Sequence, residues 1–160
     1  MTDKILYKNS LNGIVKRLRK NKKTIVFTNG CFDILHRGHI EYLKKAKKLG
    51  DILIVGLNAD RSVKRIKGEG RPIQKQSDRL IIITSLSFVD YAILFNESTP
   101  INLIKQIKPD VLVKGGDWLK ENIVGNNVVS SYGGKVLSIP YLQGKSTSNI
   151  ISKICGKNNT

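Results

Sequence analysis

Cysteine, proline, aromatic and acidic residues are all scarce in this 160-residue chain. The two cysteines, Cys31 and Cys155, are too few for a disulfide framework, which points to a reducing cytoplasm. Two histidines beside them leave little material for a structural zinc site, and no protein-built metal site is expected. The uncharged stretch Leu80–Val89 falls well short of the roughly 20 apolar residues that cross a bilayer. Lys4 and Lys8 have no apolar segment behind them, so no secretory signal is expected. The aromatics (one Trp, five Tyr, four Phe) do not interleave with the basic runs as a nucleic-acid stacking surface requires. Neither nucleic acid nor a membrane is therefore expected as a partner. No low-complexity linker or internal repeat divides the chain.

The acids number twelve against twenty-eight Lys and Arg, a net charge of +16. Such an excess calls for a polyanionic partner, and small phosphate-rich substrates fit better than nucleic acid. Part of the bias is compositional, because Lys and Ile each occur 21 times and Asn 13 times, as an AT-rich genome would favour. Forty per cent hydrophobic and 25% charged residues describe a soluble globular protein of one domain. Residues 1–23 are expected to add an N-terminal helix to a domain spanning 24–155, with 156–160 a disordered tail.

Hydrophobic spacing alternates between strand and helix. Asn9–Lys20 places Leu11, Ile14, Val15 and Leu18 on one helical face. Thr24–Thr28 is a β-branched run stopped by Asn29-Gly30, and His39–Leu49 reads as a helix stopped by Gly50. Asp51–Leu57 is apolar enough to be a strand buried on both faces. Lys64–Pro72 reads as a basic, Gly-containing loop. Ser77–Ser87 fits a helix, although Ile81-Ile82-Ile83 would also suit a strand. Tyr91–Phe95, Val111–Val113 and Lys135–Ile139 complete five strands; Pro100–Ile107, Asn126–Tyr132 and Thr147–Ile154 read as helices. This order predicts an α/β, doubly wound (Rossmann-like) five-stranded parallel sheet, whose ligands bind beyond the carboxyl ends of the strands.

The loop after the first of these strands carries the most chemistry. It reads Asn29-Gly30-Cys31-Phe32-Asp33-Ile34-Leu35-His36-Arg37-Gly38-His39. Two imidazoles three residues apart at a helix start can point at one bound group. The first-turn N–H groups make an anion site there, and Gly38 would let a phosphate approach the backbone. Cys31 reads as a small buried residue, and Asp33 either holds the turn or meets a ligand. Near the end, Gly144-Lys145-Ser146-Thr147-Ser148 precedes the last helix. A P-loop is excluded, because its first glycine would fall at Ile139. Ser146 and Thr147 can cap the helix or hold a phosphate with its N–H groups.

With Lys114-Gly115-Gly116-Asp117 after the fourth strand, these segments resemble the cytidylyltransferase-like nucleotidyltransferases. Within them, the chain is similar to the heptose 1-phosphate adenylyltransferase branch from about Asn9 to Ile154, including Lys67-Gly68-x-Gly70-Arg71-Pro72 and Asp78-Arg79. The resemblance implies attack of a sugar 1-phosphate on the α-phosphorus of ATP, with Mg²⁺ carried by the nucleotide. It implies that His36, His39 and Lys67 are catalytic, with Lys67 and its neighbour Arg65 reaching the triphosphate, while the charge and glycines of the segment itself predict a mobile loop that closes over it. It assigns Asn29, Gly30, Cys31, Phe32, Gly38, Lys114, Gly116, Asp117, Gly144, Ser146, Thr147 and Ser148 to the nucleotide. Asp33, Asn58, Asp60, Arg65 and Arg79 would contact the sugar phosphate or brace the site. The chain is expected to be a stand-alone counterpart of the adenylyltransferase half of bifunctional kinase–adenylyltransferases, and a homo-oligomer, a dimer above all. Lys145 and Trp118 depart from the branch's usual residues; tryptophan at the latter place also occurs in glycerol 3-phosphate cytidylyltransferases, the first alternative reading, with a basic nucleic-acid-binding module the remote one.

Overall fold

The computed structural model describes residues 2–156, so the expected tail lies outside the described residues except for Gly156, which is in a turn. A six-stranded parallel sheet runs in the order β1-β4-β3-β2-β5-β6. Its strands are β1 (Ile5–Leu6), β2 (Ile25–Gly30), β3 (Ile52–Asn58), β4 (Tyr91–Phe95), β5 (Val111–Gly115) and β6 (Lys135–Ile139). The helices are α1 (Lys8–Lys20), α2 (Arg37–Lys47), α3 (Asp60–Lys67), α4 (Gln76–Ser85), α5 (Ile101–Ile107), α6 (Asn126–Ser131) and α7 (Thr147–Ile154).

The central strands alternate their side chains between two apolar layers, which is why they read as continuous hydrophobic runs. Phe27, Ile54, Ile93 and Leu112 face Leu11 and Leu18 of α1, the α5 residues Leu103, Ile104 and Ile107, and Val129 of α6. Val26, Leu53, Val55 and Val113 face Tyr42, Leu43 and Ala46 of α2 and Leu80 and Ile83 of α4. The Ser77–Ser87 ambiguity resolves as helix. Leu80 and Ile83 are buried while Ile81 is 50% exposed, a one-sided stripe that a strand would not produce.

Two expectations need correction. The sheet has six strands, because Ile5 and Leu6 pair with Ala92 and Ile93 at its edge. Two residues are too short to show an alternation. The segment Lys64–Pro72 is not all loop: Lys64, Arg65 and Lys67 form the last turn of α3, which ends at Gly68 with φ +97°. The cations at that helix end oppose the negative end of its dipole. Chain order reverses across β2, whose neighbours are β3 on one side and β5 on the other. The crevice expected of such a sheet therefore opens at the carboxyl ends of β2 and β5.

Candidate active site

A cavity of about 620 Å³ occupies that crevice. Its walls come from the ends of β2 (Asn29, Gly30), β3 (Asn58) and β5 (Lys114, Gly115), and from the starts of α2 and α7. Tyr42 closes the floor: its hydroxyl bonds Thr28 and donates to the Val113 carbonyl at 3.2 Å, tying β2 to β5 through α2.

After Gly30 the chain turns sharply. Phe32 holds a left-handed φ of +44°, and its ring lies where a Gly30 side chain would be, 2.8 Å from an ideal Cβ. Any side chain at Gly30 would displace that ring. A non-glycine residue in this region costs on the order of 1–3 kcal/mol and persists only where its surroundings enforce it. The turn delivers His36 to the N-cap of α2 and His39 to its first turn. The two imidazoles stack with ring centroids 3.9 Å apart, and Phe32 meets His39 edge-on at 5.2 Å. Both Nδ1 atoms are buried without a hydrogen-bond partner.

Burial depresses the pKa of both rings, and that of His39 falls to about 4 with a lesser contribution from His36. Both are therefore neutral at pH 7 in the free protein. The consequence for stability has a definite sign. Between pH 6.5 and about 4 the unfolded chain binds more protons than the folded one, so stability falls on acidification through that window. Lowering the pH from 6.5 to 4.5 should cost the wild type on the order of 1–2 kcal/mol more than His39→Gln, read from urea midpoints at the two pH values.

Two ion pairs, each with one fully buried partner, hold the frame. Asp33 is 1% exposed and accepts from Arg71 Nε at 2.6 Å and from the N–H groups of Ile73 and Gln74 at 2.8 Å. Burial pushes its carboxyl upward, but those donors outweigh it and leave its pKa lowered. Arg79 is fully buried in α4 and donates to four acceptors on three chain segments. These are the carbonyls of Gln74 (3.0 Å), Cys31 (2.5 Å) and Asn58 (2.9 Å), and Asp60 Oδ1 (2.7 Å). Asp60 and Arg79 thus lie behind the cavity wall, where they fix the ends of β2 and β3.

Lys67, Lys114 and Lys145 line the cavity, and among the described residues none pairs with a carboxylate. Burial lowers the Lys114 pKa, opposed by Cys31 and reinforced by Lys67, while burial raises that of the Cys31 thiol. Ser146 caps α7, accepting from the Asn149 N–H at 3.0 Å, and Thr147 donates to the Ile34 carbonyl at 3.3 Å. That last bond places the α7 start beside the His36 loop.

Of the sequence-derived candidates, Asn29, Gly30, Cys31, Phe32, Asp33, His36, His39, Asn58, Lys67, Lys114, Ser146, Thr147 and Ser148 line this one cavity. Gly38, Asp60, Arg65, Arg79, Gly116, Asp117 and Gly144 do not. Arg65 turns away and donates to the Asn96 carbonyl, while Asp117 is exposed. The space Gly38 leaves is taken by protein: a Cβ there would stand 2.9 Å from the His36 ring and 3.4 Å from Lys145 Cβ. Gly38 thereby makes room for the catalytic candidate beside it. Sequence reasoning missed Tyr42, Arg71 and Tyr141 as site residues and did not place Trp118 and Lys145 in the cavity; all five line it. Arg71 and Tyr141 act through partners about 38 and 26 positions away, beyond any local pattern.

The profile of the cytidylyltransferase-like family matches residues 27–152. The bifunctional protein HldE of Syntrophotalea carbinolica is 49% identical over 151 residues, covering 94% of this chain and 31% of that protein. HldE of Campylobacter fetus subsp. fetus is 55% identical over 140 residues, 88% of this chain and 30% of the relative. The chain therefore spans about a third of the length of these curated relatives. The crystal structure of the lipopolysaccharide core biosynthesis protein from Thermoplasma volcanium GSS1 superposes with a TM-score of 0.61 at 34% identity, over 77% of this chain and 99% of that one. A pantoate-beta-alanine ligase from Francisella tularensis shares the fold alone, with a TM-score of 0.62 at 17% identity over 97% of this chain and 80% of that one. With the family profile spanning most of the sequence and its motifs gathered around one crevice, this chain belongs to the cytidylyltransferase-like family.

Proposed function

We propose that the chain transfers AMP from ATP to D-glycero-β-D-manno-heptose 1-phosphate, giving ADP-heptose and pyrophosphate for the core of a lipopolysaccharide. The observation that carries this reading is the imbalance of charge in the cavity. Lys67, Lys114 and Lys145 line it beside the His36 and His39 rings, whereas the one lining carboxylate, Asp33, is already engaged by Arg71 and two N–H groups. A polyanion compensates such a site, and two phosphorylated substrates supply one. The relatives named HldE and the lipopolysaccharide core protein support the heptose branch.

In this mechanism a phosphate oxygen of the sugar phosphate bonds to the α-phosphorus as the bond to the β,γ-pyrophosphate breaks. His36 and His39 face the reacting phosphoryl group and donate to its oxygens as charge accumulates. Lys67 and Lys114 take up the charge of the phosphates. Mg²⁺ would arrive with ATP: Asp33 is spent, and among the described residues no group of three or more His, Cys, Asp or Glu side chains could hold a metal. The reaction would take place in the cytoplasm, within a homodimer.

Nucleotide choice tests the reading. A site built to hydrogen-bond one base rejects analogues that leave its partners unpaired. ATP with heptose 1-phosphate should exceed CTP with the same acceptor by at least about tenfold in kcat/KM, which is about 1.4 kcal/mol. Turnover only with CTP and glycerol 3-phosphate would transfer the chain to the polyol-phosphate cytidylyltransferases.

A further inference from the structure

Two aromatic rings in the cavity wall have no part in the chemistry above. Tyr141, just beyond β6, lies against Gly115, where an ideal Cβ would come within 2.7 Å of its ring. At Gly116, which holds φ +111°, a Cβ would meet Trp118 Nε1 at 2.9 Å and the Tyr141 ring at 3.0 Å. Both rings therefore rest on one strip of glycine backbone at the end of β5. Trp118 is anchored there, since its Nε1 donates to the Gly115 carbonyl at 3.0 Å. Even so, Trp118 remains 48% exposed and Tyr141 57% exposed, and both line the cavity. Large apolar rings fixed by a hydrogen bond and by missing side chains, yet left open to a cavity, offer a surface for a flat ligand.

We infer that Trp118 and Tyr141 form the stacking wall for the nucleobase and so determine how tightly the nucleotide is held. The inference rests on the proposed nucleotidyl transfer and names the part of the site that receives the adenine. The cations and imidazoles engage phosphates, which leaves the purine as the extended π-surface among the substrates. Base–aromatic stacking is worth about 1–3 kcal/mol per base and tolerates any base, so the wall supplies affinity while hydrogen bonds discriminate. The glycines at 115 and 116 then have a reason: a side chain at either would push a ring off the backbone.

The chain has a single tryptophan among five tyrosines, so emission excited selectively at tryptophan reports on this wall. AMP and ATP should quench Trp118 emission saturably, whereas inorganic tripolyphosphate and heptose 1-phosphate should leave it unchanged. Calorimetry should show Trp118→Leu binding ATP about tenfold or more weakly than wild type, with tripolyphosphate binding unaltered and Trp118→Phe close to wild type. Because the ring is half exposed, the Leu variant is expected to keep its melting temperature, and Tyr141→Leu gives a second reading on the same wall. ATP binding by calorimetry without quenching, or quenching by heptose 1-phosphate and not by AMP, would overturn the inference while leaving the proposed function standing. Failure of ATP to bind the wild type at all would overturn both.

Discussion

Replacing His39 by alanine should lower kcat by roughly 10²–10³, with His36→Ala of similar size, because in the proposed transfer each would remove a donor from charge that develops in the transition state. The structure explains why the loss should fall on turnover and spare the fold. Each imidazole presents a buried Nδ1 with no partner, and an unsatisfied buried polar atom costs about 1–3 kcal/mol. The free protein therefore carries this cost at both rings. Relief of it in either alanine variant offsets lost packing, so melting temperatures should stay near that of wild type while steady-state turnover collapses. Near-normal turnover in one variant would remove that histidine from the reacting centre. Equal effects on KM with kcat unchanged would make the pair a ground-state clamp.

Arg79 is expected to behave in the opposite way. Arg79→Leu strands the buried Asn58 carbonyl, the part-buried carbonyls of Gln74 and Cys31, and the Asp60 carboxylate that the guanidinium now satisfies. With Asp60 partly solvated, losing the buried guanidinium should cost about 2–4 kcal/mol, roughly 6–12 °C in Tm for a domain of this size. Arg79→Lys should recover only a fraction, because a single ammonium cannot span four acceptors on three segments. Thermal unfolding monitored by circular dichroism measures both. A variant that melts like wild type but has lost turnover would mean that Arg79 touches substrate, and its bracing role would fall.

These two residues mark how far the sequence could be read. The His36–His39 pair was legible because its chemistry is local: strand, glycine turn and helix start lie within eleven residues. The central strands were legible because burial on both faces leaves uninterrupted apolar runs such as Ile52–Leu57. What escaped was non-local or under-patterned. The helix α3 buries only Ser62 and Val63, and its five charged residues made it look like loop. The strand β1 is two residues long and exists through its pairing with β4. The division between Arg79 as a brace and Lys67 as a cavity cation lies in which way each side chain points, and a one-dimensional pattern does not encode that. The same holds for Tyr141, whose place over Gly115 depends on β6 pairing with β5.

Whether this crevice joins a sugar phosphate oxygen to the α-phosphorus of ATP is tested most directly with heptose 1-phosphate carrying ¹⁸O in its phosphate. The products are separated and read by ³¹P NMR and mass spectrometry. Such a reaction gives stoichiometric ADP-heptose retaining all of the label, and pyrophosphate free of it. Label in the pyrophosphate, or ATP consumed without a nucleotide sugar appearing, would contradict it.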